Sequence, residues 1–194
     1  MKLELHGKKI GFVLTGSFCT FNLVIPVMEK IIELGGTIVP IMSFNSYNLD
    51  TKFGKAQDFI NKIEKISGTK IINTIVDAEP IGPQKMTDIM VIAPCSGNTI
   101  AKLAQDIIDT PATMAAKSHL RNTFPLVIAI STNNGLGASL ENIGKLLNRQ
   151  NYYFVPFRQD NPITKPRSLV FDSTYIIQTI KQALDNQQIN PILL

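Results

Sequence analysis

Four short stretches of this chain are apolar at almost every position: Lys9–Thr15 (KIGFVLT), Thr37–Met42 (TIVPIM), Asp88–Ala93 (DIMVIA) and Leu126–Ile130 (LVIAI). A strand with one face in water alternates apolar and polar residues, so a strand without that alternation is covered on both faces. The segments between these runs have a different period. Leu23–Leu34 sets Val24, Met28, Ile31, Ile32 and Leu34 at helical spacing, and Gly35-Gly36 stops it. Pro26 suits a helix that begins near Asn22, where first-turn amides have no internal partner. Doubly covered strands separated by helices predict an α/β fold. The expected architecture is a doubly wound open parallel sheet of about six strands, a Rossmann/flavodoxin-like three-layer sandwich.

The remaining pattern agrees with that layering. Phe53–Ile66 is amphipathic and ends at Gly68, while Lys70–Asn73 is at most a short strand. Pro94 closes the strand before it. Asn98–Asp106 and Ala112–Leu120 read as helices divided by Pro111, and Leu140–Arg149 as another. Tyr152–Val155 reads as a last strand and Ser168–Gln187 as a final helix capped by Ser168. The expectation is a single domain over residues 1–194, with a mobile flap at 157–167, where the chain is polar and spaced by prolines.

Composition closes off several function classes. The chain is 44% apolar and 18% charged, enough for a core and too little charge for disorder. Its net charge of +4 is scattered, with no basic stripe for nucleic acid. Two cysteines rule out a disulfide scaffold or a four-cysteine zinc site, and His6 and His119 leave little for any other metal. No metal is expected. No apolar run reaches the roughly 20 residues that span a bilayer. The opening MKLELHGKK leads into a strand without an apolar leader, so a cytoplasmic protein is expected.

Ligands of doubly wound sheets sit beyond the carboxyl ends of the strands. Thr15-Gly16-Ser17 lies at such an end and precedes a helix, where an anion is favoured; it reads equally as a capped turn. Ser43 ends the second strand, where a nicotinamide-binding domain would carry an acid. No G-x-G-x-x-G or P-loop motif is present. Pro94-Cys95-Ser96-Gly97-Asn98-Thr99 offers three polar side chains beside a helix N-terminus, more than capping needs. Gly16, Ser17, Ser43, Ser96 and Thr99 are expected to converge on one phosphate. Ser131-Thr132-Asn133-Asn134-Gly135-Leu136-Gly137, with two Gly and two Asn that allow positive φ, either reads the edge of a flat heterocycle or merely turns the chain. Arg158, Lys165 and Arg167 would hold a dicarboxylate, or else belong to a solvated connector. Cys19 and Cys95 stand near strand ends, where a helix N-terminus can activate a thiol, although buried inert cysteines are commoner. His6 is expected on the surface. His119 falls late in a helix, where an imidazolium would suit the dipole.

Thr15-Gly16-Ser17 and Ala93-Pro94-Cys95-Ser96-Gly97-Asn98-Thr99-Ile100-Ala101-Lys102 resemble the flavoproteins that include peptidyl-cysteine and phosphopantothenoylcysteine decarboxylases. In that family the second motif commonly reads P-A-S-A-N-T and helps to bind FMN. A nearer resemblance is to its branch of dipicolinate synthase B subunits. It is carried by Thr15–Thr20, Thr51-Lys52-Phe53-Gly54, Ala78–Pro83, Met90–Asn98, Met114–Lys117, Ser131-Thr132-Asn133 and Pro156–Asp160 with Lys165-Pro166. The chain departs from the wider family in three places. Phe18 stands where relatives often carry His, Asp77–Pro83 contains no His, and Ser131–Asn134 replaces a P-x-M-N motif. The last two departures speak against decarboxylation.

The resemblance implies an FMN site built by Gly16, Ser17, Ser43, Pro94, Ser96, Gly97, Asn98, Thr99, Ser131 and Asn133. It also implies a trimer-based homo-oligomer and a partner, the dipicolinate synthase A subunit, which carries NAD(P). The implied reaction is oxidation of dihydro- or tetrahydrodipicolinate to pyridine-2,6-dicarboxylate during sporulation. Cys19 is a candidate base. The alternatives are an FMN-dependent decarboxylase and a non-catalytic scaffold for the A subunit.

Overall fold

The parity of residues along each long strand decides how the layers form. In β3 (Ile89–Cys95), Ile89, Val91 and Ala93 enter one core while Met90 and Ile92 enter another. In β4 (Leu126–Thr132), Val127 and Ala129 join the first core and Leu126, Ile128 and Ile130 the second. Neither face meets water, as a strand without polar alternation requires. The structure, a computed structural model, describes residues 4–194. His6 lies on its surface.

Helices cover both faces. α1 (Phe21–Glu33), α3 (Ala56–Ser67) and α8 (Ile176–Leu184) send Val24, Met28, Ile60, Ile63, Ile176 and Ile180 into the first core. α5 (Gly97–Gln105), α6 (Pro111–Leu120) and α7 (Ala138–Leu147) send Ile100, Ala112, Ala115, Ile143 and Leu146 into the second. Two short helices, α2 (Phe44–Asn48) and α4 (Ile75–Ala78), complete the set. α1 starts at Phe21, so Pro26 lies beyond its first turn. The carbonyl of Asn22 thereby loses its amide partner, but Asn22 and Pro26 are both exposed and water can serve it.

β1 (Lys9–Leu14) lies between β2 (Thr37–Met42) and β3; β4 follows β3, and β5 (Tyr152–Phe154) pairs with β4, all in parallel. This is the doubly wound order 2-1-3-4-5, with its switch point between β1 and β3. Two further strands bring the sheet to seven. β6 (Phe157–Asn161) and β7 (Lys165–Phe171) form an antiparallel hairpin, and β7 pairs with the far end of β4 at Ser131 and Thr132.

The hairpin corrects two expectations. The 157–167 segment is a pair of strands rather than a connector. Ser168 lies inside β7 and caps nothing; the last helix begins at Ile176. Ser168, Leu169 and Phe171 are buried in the sheet, and this ladder satisfies amides that a helix would otherwise use. Pro94 also sits within β3, which runs on to Cys95. Lys70–Asn73 reduces to a bridge between Ile41 and Ile72. At the C-terminus, Ile189 and Ile192 pack on the chain's own core, while Leu193 and Leu194 stay exposed.

Candidate functional site

Strand ends on either side of the switch point are tied by one hydroxyl. Thr15 Oγ1, fully buried, donates to the Pro94 carbonyl at 2.7 Å and accepts from the Ser96 N–H at 2.9 Å. Ser17 Oγ donates to the Ser131 carbonyl at 2.7 Å and so joins the loop after β1 to the end of β4. α5 comes so close to β4 that a Cβ on Gly97 would meet Thr132 Oγ1 at 2.5 Å. These contacts frame a cleft of about 780 Å³, within the range of small-molecule sites.

The cleft has distinct walls. Gly16, Ser17, Phe18 and Cys19 line it from the turn after β1; Gly97, Asn98 and Ala101 line it from α5. Ser131 and Thr132 line it from β4, Asn133 and Asn134 from the loop after it, and Ser139 and Asn142 from α7. Lys52 and Phe53 come from the turn before α3, and Lys165 from β7. The lining holds two ammonium groups and no carboxylate; Asp160 pairs with Lys165 from just outside it, so Lys52 carries the uncompensated charge that favours an anion. The first amides of α5, Gly97 and Asn98, have no intrahelical acceptor and add positive potential.

The expected site residues divide. Gly16, Ser17, Gly97, Asn98, Ser131 and Asn133 come together on this lining. Ser43, Pro94, Ser96 and Thr99 do not. The Ser43 and Ser96 hydroxyls cap α2 and α5 by accepting from the N–H groups of Ser46 and Thr99, both at 3.3 Å. Each is further held by a hydroxyl, that of Ser46 at 2.9 Å and that of Thr99 at 3.1 Å. Helix ends claimed them, because a first-turn amide needs an acceptor. Pro94 lends its carbonyl to Thr15. Of the five residues expected to converge on one anion, Gly16 and Ser17 line this cleft, while Ser43, Ser96 and Thr99 are not on its lining.

The three hairpin cations also separate. Lys165 lines the cleft, and Asp160 Oδ2 accepts from its Nζ at 2.6 Å; this hydrogen bond raises the ammonium pKa. Arg167 lies beside it in a shallow groove shared with Asn133. Arg158 is absent from the lining and pairs with Asp172 at 3.1 Å. Asp172 itself is held below the usual carboxylate range, chiefly by the Thr174 hydroxyl. Cys19 is exposed on the cleft wall, whereas Cys95 is buried and burial pushes its thiol up.

His119 is buried rather than displayed at a helix end. The Pro125 carbonyl can only accept, so Nε2 donates to it at 2.9 Å and Nδ1 accepts from Thr87 Oγ1 at 2.8 Å. Burial lowers its pKa to about 4, which leaves the ring neutral. Several lining residues are not singled out as site candidates by the strand-end pattern: Lys52, Phe53, Ala138, Ser139 and Asn142. The Thr51–Gly54 motif was the available signal for the first two.

The Flavoprotein family profile matches residues 1–184. The dipicolinate synthase B subunit of Bacillus subtilis (strain 168) is 44% identical over 190 residues, 98% of this chain and 95% of that protein. The crystal structure of the dipicolinate synthase B subunit from Bacillus halodurans C aligns with a TM-score of 0.90 and 45% identity, over 98% of this chain and 97% of that one. The FMN-dependent cysteine decarboxylase SpaF shares the fold, with a TM-score of 0.66 and 20% identity over 93% of this chain and 97% of that one. Likeness over nearly the whole length, in sequence and in fold, makes this chain a member of the flavoprotein family, in the branch of the dipicolinate synthase B subunits.

Proposed function

We propose that this chain holds FMN in the cleft beside β1 and, with an A subunit that carries NAD(P), oxidises dihydro- or tetrahydrodipicolinate to pyridine-2,6-dicarboxylate in the cytoplasm of a sporulating cell. The observation that carries the reading is the full-length identity to a dipicolinate synthase B subunit. The cleft suits the cofactor chemically. It has room for a flat heterocycle, an apolar wall at Phe18 and Ala101, amide side chains at Asn98, Asn133 and Asn142, and no carboxylate to repel a phosphate. FMN supplies two-electron acceptance when bound.

The chain's own groups bind, orient and take up the proton. Gly16, Ser17, Gly97, Asn98, Ser131 and Asn133 hold the cofactor. Lys165 meets a substrate carboxylate, and Arg167 draws the anion in along the neighbouring groove. Each new ring double bond releases one hydride and one proton. Cys19, exposed on the cleft wall, is the candidate acceptor of the ring proton, a role that requires its thiolate form. A trimer-based homo-oligomer completes the reading, with Leu193 and Leu194 as exposed apolar surface for such contacts.

The test is direct. Purified protein mixed with FMN is expected to show flavin absorbance bands near about 370 and about 450 nm after desalting. Adding NAD(P) together with the A subunit is expected to yield pyridine-2,6-dicarboxylate far faster than either protein alone. Protein that refuses FMN, yet supports full synthesis by the A subunit, would make it a scaffold.

A further inference from the structure

Thr51 and Gly54 close a tight turn on each other. The Thr51 N–H donates to the Gly54 carbonyl at 3.0 Å, and the Gly54 N–H donates back at 3.1 Å. Gly54 has φ +148°, and a Cβ there would strike the Phe59 ring at 2.8 Å. Only glycine lets the turn seat so closely on α3. Asp50 Oδ1 accepts from the Ala56 N–H at 2.9 Å and secures the return into the helix. The base of the turn is therefore fixed, and its tip residues, Lys52 and Phe53, form part of the cleft wall.

The tip pairs a cation with an aromatic ring. Lys52 Nζ stands 5.3 Å from the ring centroid of Phe53, a residue that is 44% exposed. Among the described residues Lys52 has no ion-pair partner, whereas Arg158 is paired with Asp172 away from the cleft and Lys165, on the lining, is paired with Asp160. Lys52 and Lys165 are the cations of the lining, and they come from different elements. An unpaired ammonium beside an exposed ring, on a wall without carboxylates, matches one end of a planar aromatic dianion.

We infer that Lys52 is a specificity-determining residue: its unpaired ammonium takes one carboxylate of a flat dicarboxylate, Lys165, shared with Asp160, meets the other, and Phe53 lies against the ring. This rests on the proposed dipicolinate chemistry and deepens it by naming the group that recognises the second carboxylate. A dicarboxylate can engage both ammonium groups, sharing that of Lys165 with Asp160, whereas a monocarboxylate can engage only one, so the two differ by one charged contact.

The test is calorimetric titration of the FMN-loaded chain with pyridine-2,6-dicarboxylate and with pyridine-2-carboxylate. The wild type is expected to prefer the dicarboxylate. Lys52→Met is expected to weaken dicarboxylate binding about tenfold, as loss of a charge-assisted contact should. It should leave the monocarboxylate, FMN affinity and thermal midpoint nearly unchanged. Lys52→Arg should retain most of the preference. Unchanged dicarboxylate affinity in Lys52→Met, a loss in Arg158→Met instead, or a fall in FMN affinity would overturn the inference. Synthesis with the A subunit is scored separately. If the mixture makes no dipicolinate while the binding pattern holds, the reaction assignment fails and the two-lysine site stands.

Discussion

Thr15 Oγ1 donates to the carbonyl of Pro94 at 2.7 Å, a contact between residues 79 apart in the chain. It joins the ends of β1 and β3 where the strand order reverses, and so fixes the floor on which the cleft is built. The same oxygen accepts from the Ser96 N–H, so a buried carbonyl and an amide both depend on one side chain.

Thr15→Val keeps the shape and removes the hydroxyl, so that carbonyl and that amide lose their partner. The expected cost is about 1–3 kcal/mol of folding stability, read as a lower urea midpoint with an unchanged slope. FMN binding should weaken as well, because the Gly16–Ser17 turn loses its anchor to the α5 N-terminus.

Ser17→Asp sets a carboxylate in a cleft that has none and points it towards the Ser131 carbonyl. FMN affinity is expected to fall by more than about tenfold, roughly 1.4 kcal/mol, in a fluorescence-quenching titration. An affinity equal to that of the wild type would move the phosphate away from this turn.

Gly97→Ala places a Cβ 2.5 Å from Thr132 Oγ1 and 3.2 Å from Ser139 Oγ. Either α5 shifts or the end of β4 gives way, at an overpacking cost of about 1–3 kcal/mol. Thr132→Ala in the same chain removes the nearest clashing atom and should recover part of the lost thermal stability. Additive destabilisation in the double variant would show that the two residues do not press on each other.

His119 makes stability depend on pH over a defined window. Its folded pKa, about 4, lies below the ordinary value of 6.5. Between those limits the unfolded chain binds more protons, so stability rises with pH and is lost progressively as pH falls from 6.5 towards 4. The full loss from this group is about 3 kcal/mol. His119→Gln cannot titrate, and its urea midpoint should fall less than that of the wild type between about pH 7 and about pH 5. Equal slopes would mean that the imidazole charges without penalty.

Local order along the chain was enough for the layers. Uninterrupted apolar runs such as Asp88–Ala93 can exist in water only if both faces are covered, and the helical period between them supplies the cover. The same reasoning pointed to the carboxyl ends of those strands, and Gly16, Ser17, Gly97, Asn98, Ser131 and Asn133 from those stretches share the lining of one cleft. Tertiary contacts decided the rest. Ser168–Phe171 has the composition of a helix start, yet the exposed end of β4 offered amides and carbonyls to pair, and the segment became a strand. The hydroxyls of Ser43 and Ser96 look free in sequence, but helix N-termini claim them once α2 and α5 form. Lys52 stands far from Lys165 in the chain, whereas Arg158 and Lys165 are near neighbours. No period along the chain could reveal that the distant pair shares the cleft lining while Asp172 holds Arg158 outside it. Pairings of that kind depend on which surfaces the folded sheet brings together.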